Sequence, residues 1–123
     1  MGRAIKSVMD LTVYRSAFEL AMEIFEITKK FPKEEVYALT DQIRRSTRSV
    51  SVNIREGFAK RRYQQTFIRH LNDALGSSEE SRGWLEFALS CAYIPHERFQ
   101  HLDSRYDELS AMLYSLMNKW KSF

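Results

Sequence analysis

The sequence has little of what tight turns, disulfide frameworks and membrane spans require. Its 123 residues include four glycines, two prolines and a single cysteine, Cys91. So few turn-forming residues argue against a many-stranded sandwich or barrel and favour long helices. One cysteine cannot form an intramolecular disulfide or a multi-cysteine metal site, which suits a reducing cytoplasm. Because no stretch approaches the roughly 18 consecutive apolar residues of a membrane span, we expect a cytoplasmic protein without membrane association.

Residues with catalytic potential are equally scarce. The histidines are His70, His96 and His101, and the five-residue separation of the last two places them on different faces of a helix. No serine lies in a nucleophile-elbow pattern. The chain also lacks a Gly-rich phosphate loop and the Glu-x-x-His pairs of a di-iron bundle. We therefore expect no enzymatic activity, no catalytic residue, no metal site and no cofactor.

What the sequence does contain is apolar residues repeated every three or four positions. The pattern covers four stretches and predicts helices near residues 12–31, 36–60, 65–92 and 96–121. The short links between them predict an all-α fold, an antiparallel up-down-up-down four-helix bundle. Residues 1–10 are polar and unpatterned, so we expect a loose N-terminal arm followed by a single domain over residues 11–123.

Positive charge is concentrated in residues 41–62, DQIRRSTRSVSVNIREGFAKRR, within a chain of net charge +3. On a helical wheel Arg44, Arg48 and Arg55 fall within about 40° of one another, beside the apolar stripe of the second helix. A local excess of cations is typical of proteins that bind a polyanion. We therefore predict a nucleic-acid interface, with RNA preferred over other polyanions, formed by Arg44, Arg45, Arg48, Arg55, Lys60, Arg61 and Arg62.

Two other interpretations of this charge stay open. A helix face rich in cations is often only a solvated surface. The arginines could instead meet an acidic protein partner or the acidic third helix of a neighbouring subunit. In that case the protein would be an interaction scaffold that does not bind nucleic acid.

Several aromatic side chains lie outside the apolar stripes of the first and third helices, namely Tyr14, Phe18, Phe25, Trp84 and Phe87. Extra apolar surface of this kind often marks a protein–protein contact. We therefore predict that these residues form the interface of a homo-oligomer. The alternative is that a tilt of the helices widens the core and buries them.

Asn53, Glu56 and Gly57 form a polar cluster within the packing face of the second helix. We predict a structural role for them, in which they satisfy helix ends or an inter-helix hydrogen bond. The functional alternative is that Asn53 and Glu56 orient a neighbouring arginine.

The order and spacing of several short motifs carry a family resemblance over nearly the whole chain. They run as Asp10-Leu11-x-Val13-Tyr14, Phe31-Pro32-Lys33-Glu34-Glu35, Gln42-Ile43-Arg44-Arg45-Ser46, Asn53-Ile54-x-Glu56-Gly57-Phe58 and Ala74-Leu75-Gly76-Ser77. With these motifs the chain resembles the four helix bundle proteins encoded within intervening sequences of bacterial large-subunit ribosomal RNA genes. It resembles more distantly the accessory variability determinants of diversity-generating retroelements.

The resemblance implies a four-helix bundle that assembles as a ring, a pentamer, without an established enzymatic activity. The retroelement proteins are basic pentamers that work with a reverse transcriptase and nucleic acid, so a partner of that type is implied here as well. The chain departs from the family pattern in the second helix. Arg48 and Val52 stand where the family has an apolar residue and a proline, and Arg55 stands where it has an alanine. These changes lengthen the row of arginines.

Overall fold

Four helices lie side by side in residues 4–120, the part of the chain that the structure, a computed structural model, describes. They are α1 (Thr12–Thr28), α2 (Leu39–Ala59), α3 (Gln64–Ser90) and α4 (His96–Lys119). Each packs against the next along the chain, and α4 returns to touch α1. Within residues 4–120 there is no strand, and the prediction of an all-α antiparallel four-helix bundle is confirmed.

The two helices joined by the first link, α1 and α2, both stop short of their predicted ends at that link. The N–H groups of residues 29–31 bond to carbonyls three residues back, and this tightened turn ends α1 at Thr28. Lys33–Glu35 then form a separate 3₁₀ turn. The carboxylate of Glu35 accepts the N–H of Leu39, so α2 begins there instead of at residue 36. Short-range hydrogen bonds of this kind cannot be predicted from the periodicity of apolar residues.

The predictions for α3 and α4 lie closer to the observed ends. Gln64 begins α3 one residue before its predicted start, and His96 begins α4 as predicted. The end of α3 at Ser90 comes two residues early, because Ala92 takes a left-handed backbone conformation with φ of 62°. The predicted end of α4 at residue 121 lies outside the described residues.

The predicted N-terminal arm is wrong over its last residues. Val8–Asp10 form a 3₁₀ turn in which Ser7 caps the N–H of Met9 and the Asp10 carboxylate accepts the N–H of Ser7. The side chain of Val8 is buried in the core. A capping box and one apolar residue therefore hold this segment against the bundle. Residues 1–3 of the arm lie outside the described residues.

All four helices contribute to a continuous core. At one end of the bundle the fully buried ring of Phe67 lies edge-on to Trp120, with 4.6 Å between ring centroids, and 6.2 Å from Phe58. Burying a single large apolar side chain contributes on the order of 1.5–3 kcal/mol. The other large fully buried side chains follow the predicted stripes and include Leu20, Ile24, Ile43, Ile54, Leu71, Leu85, Leu102 and Leu113.

Pairs of serines join α3 to both of its neighbours. The hydroxyl oxygens of Ser46 and Ser81 lie 2.9 Å apart between α2 and α3, and those of Ser78 and Ser110 lie 2.8 Å apart between α3 and α4. Small side chains let the helices approach closely, while each hydroxyl satisfies the other in the core. The Ser46–Ser81 pair helps to fix the register of α2, which carries the arginines, against α3.

Charged side chains also connect α3 to α4 and the first link to the third. Arg82 of α3 binds Asp103 of α4 with 2.8 Å between Nε and Oδ1, and this hydrogen bond raises the pKa of Arg82 above its ordinary value. Between α3 and α4, the hydroxyl of Tyr93 donates to the carboxylate of Glu35, which lies between α1 and α2, at 2.7 Å. This hydrogen bond raises the pKa of Tyr93 to about 12. The first link is thereby attached to the third.

Candidate nucleic-acid interface

The arginines that the helical wheel aligns on α2 pack against aromatic rings of α1. Arg44 donates from Nε to the Thr28 hydroxyl at 2.8 Å, and its guanidinium group lies 4.7 Å from the centroid of the Phe25 ring. The guanidinium group of Arg48 lies 5.7 Å from the same centroid. Phe25 is half-buried, and cations lie over its ring.

The same arrangement recurs two turns further along α2. Arg55 donates from Nη1 to the Tyr14 hydroxyl at 3.2 Å and lies 5.8 Å from the centroid of that ring. Phe18 sits next to Tyr14, with 6.3 Å between ring centroids, and is 52% exposed. We call this surface the aromatic–arginine face; it comprises Phe18, Phe25, Arg44, Arg48 and Arg55, together with Tyr14, which is itself buried in the core and contacts Arg55.

The aromatic–arginine face unites two groups that the sequence analysis treated separately. Tyr14, Phe18 and Phe25 were predicted to form a subunit interface, and the three arginines were predicted to bind nucleic acid. The antiparallel packing of α1 on α2 sets Tyr14 opposite Arg55 and Phe25 opposite Arg44. The register between two helices is a tertiary property, so a helical wheel of either helix alone could not show this.

The cations of α2 are mostly without carboxylate partners. Within residues 4–120, no carboxylate oxygen lies within 4 Å of the guanidinium nitrogens of Arg44, Arg45, Arg48, Arg55, Arg61 or Arg62. Elsewhere some cations are paired: Arg82 binds Asp103, and Arg98 lies 3.7 Å from Glu23. Others, such as Lys30, Lys33 and Arg69, have no carboxylate within 4 Å in residues 4–120. The hydrogen bonds of Arg44 and Arg55 go to neutral oxygen atoms, which leaves their positive charge uncompensated.

The seven predicted cations differ in how available they are. Arg45, Arg48, Arg55 and Arg62 are exposed, whereas Arg44 and Arg61 are half-buried. Arg61 lies 3.9 Å from the Phe58 ring centroid and donates to the carbonyl of the same residue. Lys60 is the exception to the lack of partners, because its Nζ lies 3.1 Å from a carboxylate oxygen of Glu56.

The polar cluster of Asn53, Glu56 and Gly57 surrounds His70, a residue of α3 that the sequence analysis did not connect with it. The Asn53 side chain donates to the Ser49 carbonyl, and its Oδ1 lies 3.3 Å from Nδ1 of His70. The hydrogen bond from Lys60 lowers the pKa of Glu56. These contacts join α2 to α3, and they place none of the three residues against an arginine.

The aromatic residues of α3 form a separate patch. Trp84 packs partly against the core and donates from Nε1 to the Glu80 carboxylate at 3.0 Å, whereas Phe87 is 59% exposed. Helices α1 and α3 both pack on α2 and share no close backbone contact within the described residues. The patch on α3 therefore lies on the other side of α2 from the aromatic–arginine face. Of the five predicted interface residues, Phe18 and Phe87 are the most exposed.

Residues 4–120 contain neither a metal-binding cluster nor a membrane-spanning helix. No group of three or more histidine, cysteine or acidic residues is placed to hold a metal ion. None of the described helices combines the length and the apolar character needed to cross a membrane.

Fold and surface together define a class of protein: an all-α four-helix bundle that presents uncompensated arginines on its second helix. Residues 9–115 match the family model described as 23S rRNA-intervening sequence protein. The chain belongs to this family. The match covers most of the chain, as the motif resemblance predicts.

A solved structure supports the same assignment. The chain is similar to a protein of the S23 ribosomal protein family from Bacteroides thetaiotaomicron VPI-5482, which is described as having unknown function. The identity is 29% over 87% of this chain and 96% of that one, with a TM-score of 0.79. A search of curated proteins finds no match.

Proposed function

We propose that this protein is a non-enzymatic nucleic-acid-binding protein that holds RNA through the cations of α2. The observation that carries the proposal is the set of exposed arginines without carboxylate partners, Arg45, Arg48, Arg55 and Arg62. Cations with neutral neighbours retain their full charge for a polyanion, and phosphate contacts supply most of the affinity in sequence-independent binding. The protein would therefore bind the RNA backbone with little reading of sequence.

We propose further that the protein acts as a homo-oligomer, a ring, for which the family resemblance implies five subunits. In a ring the basic surface of one copy is repeated around an axis. Linked copies bind a long polyanion with higher avidity than one copy does, without any new type of contact. Symmetry would thus compensate for the small number of exposed cations on one bundle.

The direct test of RNA binding uses the intact protein and labelled RNA at low salt, with fluorescence anisotropy as the readout. We expect binding that weakens steeply as salt is added, because counterions released from the phosphates compete with the arginines. Absence of binding at low salt would contradict the proposed function.

A second candidate function is favoured by the position of Phe18 within the aromatic–arginine face. That face could meet the α3 side of the next copy, where Asp73 and Glu80 are exposed in line with Phe87. Arg48 and Arg55 are seven residues apart on α2, and Asp73 and Glu80 are seven residues apart on α3. A contact between two different faces of one molecule gives a ring when the rotation from copy to copy closes, and the arginines would then serve assembly instead of RNA.

This second function makes a specific prediction for two substitutions. If the two faces meet, Phe18→Ser and Phe87→Ser should each convert the oligomer to monomer, because each removes an exposed aromatic ring from the contact. Mixing the two variants should form a heterodimer, since one intact face remains on each partner. The measurement is light scattering coupled to size exclusion. Tyr114→Ser is the matched control, an exposed aromatic side chain on α4.

The outcomes separate the two candidates. An unchanged mass for Phe18→Ser, together with intact RNA binding, contradicts a subunit contact through the aromatic–arginine face. Loss of the oligomer with RNA binding retained by the monomer would assign that face to assembly and the remaining cations to RNA.

A further inference from the structure

An exposed tyrosine stands in the basic turn between α2 and α3. The side chain of Tyr63 is 64% exposed, and its hydroxyl makes no hydrogen bond within residues 4–120. Its backbone is held at both sides: the N–H donates to the Lys60 carbonyl, and the carbonyl accepts the N–H of Phe67. The turn therefore presents an aromatic ring to solvent from a fixed backbone position.

One cation lies over this ring, and others lie at the same end of the bundle. The guanidinium group of Arg62 lies 5.9 Å from the ring centroid. Arg69 is exposed on α3, about 9 Å along the helix axis from Tyr63. Lys119 lies at the same end of the bundle, because Gln64 donates to the carbonyl of Trp120 at 3.1 Å, but its side chain lines a recess beside the start of α1. Within residues 4–120, Arg62, Arg69 and Lys119 have no carboxylate within 4 Å.

A recess lies beside the turn. It has a volume of about 280 Å³ and is lined by Ala59, Arg61, Arg62 and Trp120. Arg61 is half-buried at its wall, stacked on Phe58. A phosphate placed there would meet two guanidinium groups, while the base attached to the neighbouring sugar would lie within reach of the Tyr63 ring.

From this arrangement we infer that Tyr63 is a stacking platform for an unpaired base, with Arg61 and Arg62 on the flanking phosphates, and that the protein selects single-stranded over double-stranded nucleic acid. The inference rests on the proposed function. In a duplex the faces of the bases are already covered by their neighbours, so a protein ring can stack only on an unpaired or terminal base. Cationic grooves combined with exposed aromatic rings are the usual means of binding single strands without sequence preference.

A second exposed tyrosine in a link between helices, Tyr37, shows what the basic turn adds. Tyr37 is 95% exposed in the link between α1 and α2, about 30 Å from Tyr63 along the length of α2. Its neighbours in the chain include Glu34 and Glu35, which repel phosphate. Both tyrosine rings are thus exposed, but of the two only Tyr63 follows basic residues, Arg61 and Arg62. Tyr37 is the matched control for the test.

The experiment measures the affinity of the full chain for three labelled probes: oligouridylate, oligodeoxythymidylate of equal length, and a duplex with the same number of phosphates. We expect the single strands to bind more tightly than the duplex. Tyr63→Ala should weaken single-strand binding about tenfold and leave duplex binding unchanged, since stacking of one base is lost. Tyr63→Phe, which keeps the ring, and Tyr37→Ala, which lies elsewhere, should bind like the unmodified protein.

The outcomes distinguish a failure of the stacking inference from a failure of the proposed function. Equal affinity for single strands and duplex, with no effect of Tyr63→Ala, would overturn the stacking inference and leave RNA binding through the arginines in place. No binding of any probe at low salt would overturn the proposed function and the inference together. Comparison of the uridylate and thymidylate probes then shows whether the protein distinguishes RNA from DNA, since the two differ in the sugar and in the methyl group of the base. Circular dichroism of Tyr63→Ala confirms that the bundle is intact.

Discussion

Replacing Arg45, Arg48, Arg55 and Arg62 with glutamine is expected to lower RNA affinity on the order of a hundredfold at low salt. Each of these side chains is exposed and has no carboxylate partner within residues 4–120, so each can neutralise one phosphate. For single strands the slope of log affinity against log salt changes by roughly 0.7 for every phosphate contact. Loss of four contacts should therefore make the slope shallower by about 3.

The control for this variant carries the same change in net charge at another place. Lys30 and Lys33 lie in the first link, and Arg98 and Arg105 lie in the first half of α4; none of them belongs to the aromatic–arginine face. Replacing these four with glutamine should leave the affinity and the salt slope close to those of the unmodified protein. If both variants lose affinity equally, only the total charge of the protein matters, and the assignment of the interface to α2 is wrong. Anisotropy titrations at several salt concentrations provide both quantities.

Gly57→Ala is expected to destabilise the bundle by about 1–2 kcal/mol, although alanine is the better helix former. A methyl group at this position of α2 would lie 2.5 Å from Cβ of His70 and 3.0 Å from the Phe67 ring. Moving the imidazole aside cannot relieve the first contact, because the atom concerned is the Cβ itself. The helices α2 and α3 would have to separate, at a cost that exceeds the roughly 1 kcal/mol gained in helix propensity.

For two other glycines we expect replacement by alanine to have the opposite effect on stability. Gly76 and Gly83 lie within α3, and a methyl group at either would meet nothing within 4 Å. Alanine at these positions should stabilise the protein by up to about 1 kcal/mol, through helix propensity alone. Urea unfolding followed by circular dichroism measures all three variants. A stabilising effect of Gly57→Ala, equal to that at Gly76, would show that α2 and α3 do not pack as closely as described.

The fold was largely predictable because periodicity depends only on the chain itself. The apolar stripes of the four helices appear in the core where the pattern placed them, as with Ile43 and Ile54 of α2 or Leu102 and Leu113 of α4. The errors fall at helix ends, where one side chain such as Glu35 decides the start of a helix through a hydrogen bond. Such bonds involve two or three residues and do not alter the apolar pattern.

The candidate site was predictable only in its parts. The concentration of positive charge in residues 41–62 is visible in the sequence, and so is the alignment of Arg44, Arg48 and Arg55. Their contact with α1, the position of His70 beside Gly57, and the bond from Gln64 to the Trp120 carbonyl depend on how the helices pack. The sequence places Tyr63 in that turn, but the exposure of its side chain is known only from the structure.

The stacking of arginines on aromatic rings has a consequence for the entropy of binding. Five of the seven cations in residues 41–62 lie over a ring: Arg44 and Arg48 on Phe25, Arg55 on Tyr14, Arg61 on Phe58, and Arg62 on Tyr63. Ordering a long flexible side chain on association costs about 0.5–1.5 kcal/mol. Here part of that ordering has already taken place on folding. A bundle with lysines free in solvent at the same positions would carry equal charge and bind any rigid anionic surface less tightly.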